Sequence, residues 1–127
     1  MFHYTVETEK SPAEAIASLE EHLQKEQFGV LWKFNVKEKL QEKGADFEQD
    51  YFVLEVCNPH EAKRVLSKNE LAGYFLPCKL VVYESDGKTK IGLPKPSSLI
   101  RIADDLELEQ IAGDIEERFI AVINKSK

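Results

Sequence analysis

Cysteine is scarce in this chain. Cys57 and Cys78 are the only two, and 21 positions separate them. There is no C-x-x-C pair, and the three histidines form no H-x-x-x-H, so the common zinc and dithiol spacings are missing. No glycine-rich phosphate loop, cofactor box or catalytic triad can be picked out. No basic cluster occurs either: Lys and Arg are interleaved with Glu and Asp, and the net charge is −6. Phosphate contacts supply most nucleic-acid affinity, so this balance argues against nucleic-acid binding and against anionic membrane surfaces. No stretch approaches the roughly 18 apolar residues of a membrane span. Residues Met1–Lys10 lack the apolar run of a signal peptide. The chain is therefore expected to be cytoplasmic, where two cysteines are expected to remain free thiols.

What is present is an ordinary globular composition. The chain has 127 residues, 43% apolar and 31% charged, enough for one domain, residues 1–127, with its own core. Phe2–Glu7 alternates apolar and polar, the period of a half-buried strand. Ser11-Pro12-Ala13-Glu14 reads as a capping box with proline in the first turn, opening a helix that buries Ile16, Leu19 and Leu23. Gly29–Phe34 reads as a second strand with Val30, Trp32 and Phe34 on one face, in the core. Asn35 and Glu38 then repeat the cap pattern for a short helix that ends near Gly44.

Tyr51–Cys57 is the centre of the pattern. Phe52, Leu54 and Val56 share one face; Tyr51, Val53, Glu55 and Cys57 share the other. Two largely apolar faces predict a central strand covered on both sides for part of its length. Asn58, Pro59 and Glu61 begin a third helix. Cys78–Glu84 is the next strand, and Asp86-Gly87 turns it into a returning strand over Thr89–Leu93. Pro94–Ser98 reads as a loop. Asp104 or Asp105 caps a last helix with the stripe Leu108, Ile111, Ala112, Ile115, Phe119, Val122 and Ile123. The order β-α-β-α-β-α-β-β-α predicts a two-layer α+β domain: a mixed sheet of about five strands with helices packed on it.

The runs E-V-C-N-P-H-E-A-K-R-V-L, L-P-C-K-L-V-V-Y-E and D-G-K-T-K-I-G-L-P-K-P, in that order and spacing, resemble the domain of unknown function 302 family. That family is found mainly in bacteria and archaea. The likeness covers nearly the whole chain. It implies a compact α+β domain and a homodimer, and it implies no activity, catalytic residue or cofactor.

The candidate chemistry centres on Cys57, at the approach to the third helix, where the helix dipole and free N–H groups favour a thiolate. His60 lies in that first turn, and Cys78 opens the next strand. Together they form a candidate thiol or ligand site, for redox sensing or for sulfur and metal handling. Set against it is the common fate of free cysteine as a small buried apolar residue. Three ligands fall short of a structural zinc site, so no metal is expected. Glu55 is a candidate acid or base, or a residue at a sheet rim. Tyr4 and Tyr83 are candidate pocket-lining or core aromatics. The leading functional expectation is a non-catalytic homodimeric binding or assembly module with a small-molecule or protein partner, marked by an apolar strand surface left exposed.

Overall fold

Polar caps set where the helices begin. In a computed structural model describing residues 1–127, helix α1 spans Pro12–Lys25 and opens on a full capping box. Glu14 N–H donates to Ser11 Oγ at 3.2 Å, and Ser11 N–H donates to Glu14 Oε1 at 2.9 Å. Asn35, Asn58 and Asp105 cap α2 (Val36–Glu42), α3 (Pro59–Lys68) and α5 (Leu106–Ser126) by the same acceptance of first-turn N–H groups. A short α4, Pro96–Ile100, stands where a loop was expected. Proline at its first position presets the helical φ, and Ile100 is buried.

The strands are β1 (His3–Thr8), β2 (Gly29–Asn35), β3 (Tyr51–Cys57), β4 (Cys78–Ser85) and β5 (Lys88–Pro94). They form one sheet in the order β1-β5-β4-β3-β2. Every neighbouring pair is antiparallel, where a mixture was expected. Helix length explains this. A seven-residue helix such as α2 covers about 10 Å, while a seven-residue strand covers about 23 Å. Such a helix reverses the chain at the end of the sheet instead of carrying it back to start a parallel neighbour. The β4–β5 turn has positive φ at both Asp86 and Gly87, the geometry that suits a two-residue hairpin.

One face of the sheet holds the core. Leu54, Val56, Leu80, Val82, Ile91 and Leu93 point at α1 and α5, which contribute Leu19, Leu23, Ile115, Phe119 and Ile123. A smaller cluster gathers Val65 of α3, Ala72 of the 3-10 turn Glu70–Phe75, Ile100 of α4, and Leu108 and Ala112 of α5. The opposite face carries no comparable layer. Only α2, which has no buried residue, lies against β3 from the remaining helices that follow or precede it directly. The cover expected on both sides of β3 is therefore present on one.

Strand β2 departs most from expectation. Val30 pairs with Val56, but Trp32 pairs with Glu55, so two steps on β2 match one step on β3 and Leu31 is the extra residue of a β-bulge. The bulge turns Trp32 and Phe34 away from Val30 and the core. Trp32 is 52% exposed and Leu31 is 64% exposed. Lys33 faces the helix side instead, where it pairs with Glu20 of α1 at 3.2 Å.

Candidate functional site

The sequence-read site divides between the two sides of the sheet. Asn58, buried at the start of α3, accepts from the backbone N–H of His60 at 2.9 Å and of Glu61 at 3.2 Å. One amide oxygen thus takes two of the donors that would otherwise favour a Cys57 thiolate. Burial pushes the Cys57 thiol up from its usual value. Burial likewise pushes Cys78 up to about 11, with a further push from Cys57. Both thiols are therefore held in the protonated form at neutral pH, the less nucleophilic one.

Cys57 and Cys78 line one small crevice beneath α3, yet both are free thiols. Val56 is the residue opposite Cys78, so Cys57 and Cys78 belong to opposite pleats of the sheet. His60 is exposed on the first turn of α3. These side chains form no cluster placed to hold a metal ion. Glu61, on the crevice wall, instead belongs to an ion-pair network that single-residue reading did not find. Glu61 pairs with Arg64 at 2.6 Å and with Arg118 at 3.6 Å. Arg118 also donates to the Glu26 carbonyl at 3.0 Å and lies 4.8 Å from the Phe28 ring centroid. The network ties α3, α5 and the end of α1 together.

Glu55 lies on the open face, as the alternation in β3 indicated, and its cross-strand partners order that face into rows. The first row is Trp32, Glu55 and Lys79. The second is Phe34, Val53, Val81, Gly92 and Thr5; the third is Tyr51, Tyr83, Lys90 and Glu7. The middle row is apolar over three strands, and Phe34, Val53 and Val81 are only half-buried. Trp32 stacks on Phe34 at 5.0 Å between centroids, and Tyr51 stacks on Tyr83 at 4.9 Å. Gly92 keeps this row flat: a Cβ there would stand 2.8 Å from Thr5 Oγ1. Tyr4 belongs to the other side, where its hydroxyl donates to Asn124 Oδ1 at 2.7 Å.

No helix is long and apolar enough to cross a membrane. None of the curated proteins compared matches the chain. It is similar over its full length to a solved structure, the uncharacterized conserved protein DUF302 from Bacillus stearothermophilus. The two share 56% sequence identity, the match covers 100% of this chain and 99% of that one, and the TM-score is 0.98. Residues 4–126 match the family described as domain of unknown function DUF302. The chain belongs to the DUF302 family.

Proposed function

We propose that this protein is a non-catalytic assembly module that pairs with a second copy of itself through the open face of its sheet. The observation that carries this reading is the apolar middle row, Phe34–Val53–Val81, left without a helical layer and flanked by Trp32, stacked on Phe34, and by the stacked pair Tyr51–Tyr83. Exposed apolar patches of this kind mark interaction surfaces, and aromatic residues dominate the energetics of such contacts.

Charge favours a second copy as the occupant. A two-fold contact sets a surface against itself, so a surface of one sign would repel. The chain as a whole carries −6, but the rows flanking the apolar centre carry two carboxylates, Glu7 and Glu55, and two ammonium groups, Lys79 and Lys90. Their charges cancel, and Glu and Lys on either side of an apolar strip can meet their opposites across a two-fold axis.

Light scattering on the purified chain tests the reading. The expected mass is twice 14.5 kDa, falling to the single-chain mass in Trp32→Lys with unchanged circular dichroism. A wild-type protein that stays monomeric at hundreds of micromolar would remove the proposal.

A further inference from the structure

The core is divided into two clusters. The larger one lies under the sheet and includes Leu93, Ile115 and Phe119; the smaller one includes Ile100, Leu108 and Ala112. Both contribute walls to one pocket of about 250 Å³, so the pocket is a seam where the two clusters do not close on each other. Helix α5 shows a local cause. Its stripe Leu108–Ala112–Ile115–Phe119 lines the seam, and residues at these spacings share one helical face. The small side chain stands among the large ones, where a longer one would fill the gap. Three of the chain's five prolines, Pro77, Pro94 and Pro96, also line it. Their fixed φ limits how far the main chain can shift to close the gap.

What lines the pocket limits what it can hold. Thirteen of its 18 lining residues are hydrophobic, and the charged ones are Glu55 and Lys79. These two are opposite in sign and stand directly opposite each other on β3 and β4, so the pocket offers no net charge to an ion. Every buried side-chain nitrogen and oxygen of the protein has a hydrogen-bond partner, so no polar side chain in the wall is left for a ligand to satisfy. Water in such a space makes few hydrogen bonds. A charged group brought into it loses hydration without gaining a partner, whereas an apolar molecule leaves water at a gain. A cavity of about 150 Å³ holds a benzene ring, so one of about 250 Å³ suits about two fused rings.

We infer that this seam is a binding site for an uncharged apolar molecule of about two fused rings. The site is built within one chain, between its two core clusters, so the inference stands apart from the pairing of two copies through the open face.

Amide NMR of the full chain, titrated with naphthalene or with naphthoate, tests it. Naphthalene is expected to give saturable shifts centred on the pocket, with intermolecular NOEs to the Ala112 and Ile115 methyl groups. Naphthoate, the same rings with a charge added, is expected to bind about tenfold more weakly or worse. Trp32→Lys, which changes the open face, should bind naphthalene as the wild type does. Ala112→Phe puts a ring into the seam and should abolish the naphthalene shifts while circular dichroism is kept. Should that variant fail to fold, the wild-type NOEs locate the ligand without it. No saturable shift up to the solubility limit, NOEs centred on other residues, equal binding of naphthoate, loss of binding in Trp32→Lys, or wild-type affinity in a folded Ala112→Phe would each overturn the inference.

Discussion

The two faces of the sheet are built from the same strands and differ in what completes them. On one face Leu54, Leu80, Val82 and Ile91 are fully buried under α1 and α5. On the other, Val53, Val81 and Phe34 are as apolar in type but only half-buried, and no long helix lies over them. The first face is complete in a single chain. The second has the composition of a covered surface without the cover, and in our account a second copy supplies it. Strand β3 makes the contrast within seven residues, since its two apolar faces meet these two fates.

The largest expected difference between the faces is in stability. Leu80→Ala, on the covered face, should cost about 2–5 kcal/mol by chemical denaturation, because it leaves a cavity the packed helices cannot fill. Val81→Ala, its neighbour on the open face, should cost the isolated chain under about 1 kcal/mol. Equal costs would mean that the open face is covered within the chain after all. Next comes association. Trp32→Lys should weaken pairing by about 2 kcal/mol or more, the scale of an aromatic hot spot, with little change in the stability of the single chain. A fall in stability of that size instead would make Trp32 a core residue.

The covered side also carries a pH signature. Cys78 holds its proton up to about pH 11 when folded, whereas an unfolded thiol releases it near pH ~8.5. Below the unfolded value both states are protonated and the contribution is constant. Between the two values the unfolded state releases a proton that the folded state keeps, so stability falls as pH rises. Denaturation midpoints of the wild type should therefore drop above about pH 9 by more than those of Cys78→Ala. Parallel curves for the two proteins would place Cys78 in water. Alkylation at neutral pH should likewise be slow at both cysteines until the chain unfolds.

The smallest expected effect is the most specific. Deleting Leu31 removes the extra residue of the bulge while leaving Val30 inward and Trp32 outward, in register with Val56 and Glu55. The deletion should cost under about 1 kcal/mol, the scale of an ordinary surface change. A collapse of the fold would show that the bulge itself is required.

These particulars also show what a single sequence discloses. The caps at Ser11, Asn35 and Asn58, a cap at Asp104 or Asp105, the Asp86-Gly87 turn and the α5 stripe were legible because each depends on residues a few positions apart; the structure selects Asp105. The outward position of Glu55 followed from alternation alone. Regular alternation from Val30 puts Trp32 and Phe34 in the core, and only the pairing with β3 reveals the bulge. The thiol site looked favourable while Asn58 counted only as a cap. Its occupation of the His60 and Glu61 N–H groups changes the electrostatics around Cys57.

The chain has a single tryptophan, and it lies on the open face, so its fluorescence reads that face directly. Emission should be recorded from nanomolar to hundreds of micromolar protein. Pairing through the open face predicts a blue-shifted maximum at high concentration that moves to the red on dilution, in step with the mass from light scattering. A maximum typical of water-exposed tryptophan, unchanged over the whole range, would contradict the account.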